Sequence, residues 1–127
     1  MPVLSAFDYA VLRVVPQVTR EEFLNVGVIL LCRERAFLAA RVELDGVRLL
    51  ALAPGVDLAA VEDHLEFTRR LVEGEPSAGP LGELDRAERF RWLTAPHSTT
   101  MQASPVHCGL CEDPQAMLDD LFARLVG

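Results

Sequence analysis

The chain has 127 residues, half of them hydrophobic, and a formal net charge of −7. That length suits a single domain over 1–127 with a core of its own, and the hydrophobic content excludes a disordered chain. The acidic balance, with a pI near 4.9, argues against nonspecific nucleic-acid binding, which relies on basic residues to neutralise phosphates.

"AFDYAVLRVVP" (6–16) places Phe7, Tyr9, Val11 and Val15 on one face, and Ala10, Leu12 and Val14 on the other. Apolar groups at both parities predict a strand covered on both sides or facing a second subunit, ended by Pro16. Thr19 and Glu22 have the spacing of a capping box, which predicts a short helix from Arg20 to about Asn25, stopped by Gly27. "GVILLCR" and "AFLAARVEL" are apolar runs parted by Glu34 and Arg35, the punctuation of a hairpin. Asp45-Gly46 is a turn signal, after which "VRLLALAP" is expected as a further strand ending before Pro54.

From Asp57 the period changes. Leu58, Val61, Leu65, Thr68 and Val72 fall at helical spacing, with Asp57 as N-cap and Gly74 as the stop. "GEPSAGPLG" (74–82) reads as an exposed connection, "ELDRAERFRWL" as a short helix, and "HSTTMQASP" as a strand. Asp113 at the N-cap and Pro114 at the first helical position open a last helix, with Leu118, Leu121, Phe122 and Leu125 as its buried stripe. The fold class expected is α+β: an antiparallel β-meander sheet with a short N-terminal helix and two to three longer helices packed on it.

No apolar run reaches the roughly 18 residues that span a bilayer. The opening "MPVLSAFDYAVLRVVP" lacks a basic region and carries Asp8 inside its apolar stretch, so it does not read as a signal peptide. With three cysteines, an odd count, a cytoplasmic location with reduced thiols is expected. The chain is apolar for its size, and the excess, together with the two-faced first strand, predicts a homodimer.

"SPVHCGLCEDP" (104–114) puts His107, Cys108 and Cys111 within five positions. A structural zinc needs a second pair of ligands, and the sequence has no other Cys-x-x-Cys and no His-x₃-His. A thioredoxin-like pair would sit at a helix N-terminus within a strand-and-crossover context that is missing here. The segment therefore reads as a loop leading into the last helix, with no metal and no cofactor, and replacing both cysteines by Ser is expected to change neither fold nor metal content. "RAERFRW" interleaves Arg86, Arg89 and Arg91 with Phe90 and Trp92, as in base-stacking surfaces, but reads as a solvated Arg face over core aromatics. Ser98 sits in neither a G-x-S-x-G elbow nor an S-x-x-K motif, and the chain has no P-loop, no G-x-G-x-x-G and no H-E-x-x-H.

Two segments, "FDYAVLRVVPQVTREEFLNVGVILLCR" (7–33) and "RFRWLTAPHSTTMQASPVHCGLCEDPQAMLDDLFARLV" (89–126), resemble the bacterial domain-of-unknown-function family numbered 3037. Tyr9, Arg13, Pro16, Glu22-Phe23, Asn25-Val26-Gly27 and Arg33 carry the first part of the resemblance. Arg89-Phe90, Leu93-Thr94, Ser98, Gln102, His107-x-Gly109-Leu110 and Asp113-Pro114 carry the second. In the family pattern the positions of Cys108 and Cys111 hold Thr or another small residue, which implies that these cysteines are incidental. The resemblance implies no activity. Its members are often encoded beside HipA-like kinase-fold proteins, which implies a partner or regulator role, although the chain holds no kinase signature itself.

The function expected is a non-enzymatic protein-interaction or regulatory module of the cytoplasm, a homodimer and a candidate partner of a HipA-like protein, with no membrane or nucleic-acid partner. The alternative is a small enzyme or ligand-binding protein for an anionic or nucleotide-like substrate, with a site combining Arg13, Asn25, Arg91, Ser98, Thr99, Gln102 and His107. Arg would hold the anion, hydroxyls would orient it, and His107 could move a proton near neutral pH. Polar residues in both family-like segments predict that the second segment lies against the first, with His107 near Arg13 and Asn25.

Overall fold

A computed structural model of the protein describes residues 3–16, 22–95 and 101–126. Its spine is β1 (Ser5–Val14), whose two apolar faces demand cover on both sides: Ala10, Leu12 and Val14 pack to one side, Phe7 and Tyr9 to the other. Along one flank β1 pairs with β2 (Leu24–Cys32), which pairs in turn with β3 (Phe37–Val42). Along its other flank it pairs with two short strands, β4 (Met101–Ala103) at residues 12–14 and β5 (His107–Cys111) at residues 5–9. All pairings are antiparallel. The α+β class read from the sequence is the class observed.

Helices cover both faces. Leu49 of α1 (Gly46–Leu52), Val61 and Leu65 of α2 (Leu58–Glu73) and Phe90 of α3 (Arg86–Thr94) meet Ala10, Leu12 and Ile29 on one side. On the other, Leu118, Leu121 and Phe122 of α4 (Pro114–Leu125) meet Phe7, Val28, Leu30 and Cys32. Each Leu, Ile, Val or Phe among them contributes about 1.5–3 kcal/mol when fully buried. The helix signals act as read: Asp57 accepts from Ala60 N, Asp113 accepts from Gln115 N and Ala116 N, and Gly74 ends α2 at φ 69°. Among the described residues no helix is long and apolar enough to cross a membrane.

The β2–β3 hairpin turns over residues 33–36, with Ala36 at φ 49° and its N–H on Arg33 O. A register shift separates Leu12↔Gly27 from Arg13↔Asn25, so Val26 is the extra residue of a bulge. Next to it, a Cβ on Gly27 would lie 2.7 Å from Val42 Cγ1 and 2.8 Å from Arg41 O. Gly27 is therefore the point where β2 and β3 approach most tightly, and it stops no helix.

Several expectations are corrected. Of the short helix read over 20–25, Leu24 and Asn25 belong to β2, while Arg20 and the residues beside it lie outside the described residues. Ladder pairing with β1 outweighs one turn's worth of capping chemistry. "VRLLALAP" forms α1 instead of a strand: Asp45 accepts from Arg48 N, and Leu49 is fully buried. Leu and Ala are strong helix formers, and only one face of the run finds a core. The meander consequently stops at β3. The connection over 74–82 contains two 3₁₀ turns within Pro76–Glu83, broken at Gly79 (φ 76°), which pack on α2 with Ala78 and Gly82 buried. Residues 107–111 are strand, not loop. Of the strand read in "HSTTMQASP", 101–103 is observed, and 97–100 falls outside the described residues.

Candidate functional site

Two surfaces of the sheet hold the side chains of interest. The first is a polar row on the α4 side. Asn25 on β2, Arg13 on β1 and Gln102 on β4 are direct cross-strand partners, and opposed residues of an antiparallel ladder share a face. The Arg13 guanidinium lies over the exposed Phe23 ring, 4.3 Å from its centroid. Asn25 Nδ2 donates to Leu125 O at 3.1 Å, tying the row to the end of α4. Arg13 Nε and Asn25 Oδ1 are buried without a hydrogen-bond partner among the described residues, a costly state for polar atoms.

His107 lies on the same side of the sheet but in a different place. It pairs with Tyr9, the ring centroids 5.2 Å apart, and Tyr9 stacks in turn on Phe7. Tyr9 and Arg13 are four strand residues apart, roughly 13 Å. The two family-like segments are thus neighbours, since β4 and β5 both pair with β1, yet the His107 side chain joins Tyr9 and not Arg13. Between them Ser104, which the sequence reading passed over, is buried; its Oγ accepts from Val11 N at 2.8 Å and donates to Pro105 O. Arg91 is exposed on α3, in the helical layer across the sheet. Ser98 and Thr99 lie outside the described residues.

The cysteines are divided by strand geometry. Successive β5 side chains alternate between faces, so His107 and Cys111 point to the α4 side and Cys108 to the other. Cys111 is buried, its thiol pKa pushed up by burial and next by the nearby Cys32 thiol; Cys108 is exposed. A metal knuckle or a redox pair needs both sulfurs on one side. Among the described residues no group of three His, Cys, Asp or Glu side chains is arranged to hold a metal.

The second surface is the opposite face of β5 and of the β1 segment beside it. Val106, just before this strand, and Cys108 and Leu110 within it alternate outward, next to Leu4, Ala6 and Asp8, the last opposite Cys108 and paired with Arg33. Val106 is 47% exposed, Leu4 52% and Leu110 61%. The helices that cover this side of the sheet pack on Ala10, Leu12 and Val14, farther along β1. Gly109 keeps β5 close to β1, because a Cβ there would meet the Phe7 ring at 2.9 Å. The period-2 alternation of Val106, Cys108 and Leu110 is the sequence signal of this stripe.

Concavities of the described surface include four of about 220, 170, 160 and 150 Å³, each below the 300–1,000 Å³ usual for small-molecule sites. The last, lined by Phe23, Asn25, Arg48 and Leu125, adjoins the polar row.

Among the described residues, a five-stranded antiparallel sheet faced by three α-helices on one side and one on the other defines a small α+β protein. The chain belongs to the family described as "Protein of unknown function (DUF3037)", whose model matches residues 9–126. The match runs through the middle of the chain as well as the two segments that carry the resemblance. Neither the curated proteins nor the solved structures give a match.

Proposed function

We propose that this protein is a non-enzymatic protein-interaction module of the cytoplasm. The observation that carries this reading is the group of apolar side chains left uncovered on this face of β5 and the start of β1, where Val106, Leu110 and Leu4 stand in solvent around the Asp8–Arg33 ion pair. Apolar side chains clustered in this way mark contact surfaces. The wide separation of Arg13, His107 and Arg91 also favours a module over an enzyme, whose groups must converge. Three free cysteines, one of them exposed, suit a reducing compartment. A HipA-like kinase-fold protein is the partner that the family resemblance implies. Co-expression of the two followed by size-exclusion chromatography tests it. Co-elution in a defined ratio is expected, and separate elution at micromolar concentration contradicts this partner.

A second reading has an observation of its own. The unpartnered Arg13 Nε and Asn25 Oδ1, beside an exposed Phe23, suit an anionic or nucleotide-like ligand that would accept from Arg and stack on the ring. Calorimetric titration with ADP and with inorganic phosphate separates stacking from simple anion binding. Saturable heat that Arg13→Ala abolishes supports the ligand reading, and no heat at millimolar ligand removes it.

A further inference from the structure

We propose that β5 is the two-fold contact of a homodimer, in which two copies pair antiparallel, edge to edge, with Cys108 at the axis. This rests on the bare face being a docking surface and names its occupant as a second copy of the chain. Among the described residues β5 pairs with β1 on one flank only. No described strand pairs with its other flank, and an unpaired strand edge is the template for adding a strand.

The register follows from the side chains. A two-fold axis perpendicular to the sheet leaves each face on its own side, so opposed residues must share parity. With Cys108 on the axis, Val106 of each copy opposes Leu110 of the other, uniting the two large exposed apolar groups of the strand. With Gly109 on the axis, Val106 would oppose Glu112; with Leu110 there, Cys108 would oppose Glu112. Both alternatives set an apolar group against a carboxylate.

Charge favours a second copy over a charged partner. The stretch from Pro105 to Cys111 carries no Asp, Glu, Lys or Arg, in a chain of net charge −7. In the Cys108-centred register, Glu112 and Asp113 fall opposite Ser104 and Ala103, so acid does not meet acid. A strongly basic or acidic partner would find no complementary charge on this strand.

The test uses light scattering on the full chain at micromolar concentration, with the exposed Cys108 as a reporter of the register. Wild type should give about twice the 14.0 kDa chain mass. A homobifunctional thiol reagent should link Cys108 to Cys108, and Cys108→Ser should abolish the linkage. Leu110→Glu and, independently, Val106→Glu change side chains that are already exposed, and each should weaken the dimer about 100-fold or more by burying a charge. A wild-type monomer throughout overturns the dimer, as does a dimer that neither glutamate variant weakens. A dimer that both variants weaken but that Cys108 does not cross-link overturns the register. A monomer that still co-elutes with the HipA-like protein would separate failure of this inference from failure of the module reading.

Discussion

The sheet has two flanks, and they are finished differently. At β3, both α2 and α4 pack against the strand. Arg41 of β3 lies over the Phe122 ring of α4 at 4.4 Å and pairs with Asp119 at 3.3 Å. The adjoining turn holds Arg33, Glu34 and Arg35. Charge and overhanging helices are ways in which proteins prevent further strand addition. At β5 the outward residues are apolar or small, and helical cover on the Cys108 side begins only farther along β1. The contrast teaches that the two flanks are not equivalent: exposed hydrophobic side chains occur elsewhere too, as at Val47, Leu50, Phe23 and Trp92, but those of β5 stand on a strand that has a single partner among the described residues.

The predictions attack the closed flank and spare the open one. The largest effect is expected from Leu30→Ala, which opens a cavity under α4 where Leu30 is fully buried. It should cost about 3 kcal/mol in urea unfolding, whereas Leu110→Ala at its exposed position should change monomer stability by less than about 0.5 kcal/mol. Gly27→Ala comes next. Its new Cβ meets the Arg41 carbonyl and Val42, so β2 and β3 must part, at a cost of about 2 kcal/mol measured the same way. Asp113→Ala removes the cap of the helix that overhangs β3 and should lower stability by about 1 kcal/mol. The smallest effect has the opposite sign. Ala36→Gly at φ 49° relieves left-handed strain in the hairpin turn and should raise stability by about 0.5 kcal/mol, the relief being partly offset by the extra freedom of Gly in the unfolded chain. Equal losses for Leu30→Ala and Leu110→Ala would remove the distinction between the flanks.

What the sequence disclosed follows from how local each signal is. Asp57, Gly74, Asp113 and Pro114 act within one turn of their own position, and the helices they bound were readable for that reason. "VRLLALAP" was not, because a short Leu-rich run has no period that separates strand from helix. Asp45, read as part of a turn, is the cap that decides for a helix. β5 was hidden for a different reason: its strand character comes from pairing with β1, about a hundred positions earlier, and no nearby residue announces that contact. The candidate site was readable only as residue types. That Arg13, Asn25 and Gln102 form a row depends on register across three strands, including a bulge at Val26. His107 is displaced from them because it lies five residues beyond Gln102 along the same flank of β1, past a one-residue register shift around Ser104, and so falls beside Tyr9.

The most direct test of the open-flank account is amide hydrogen exchange followed residue by residue at low and high protein concentration. The β5 amides of residues 107–111 should slow as concentration rises, while those of β3, already closed by charge and helices, should exchange at the same rate throughout. Exchange in β5 that ignores concentration, or slowing that appears in β3 as well, would contradict it.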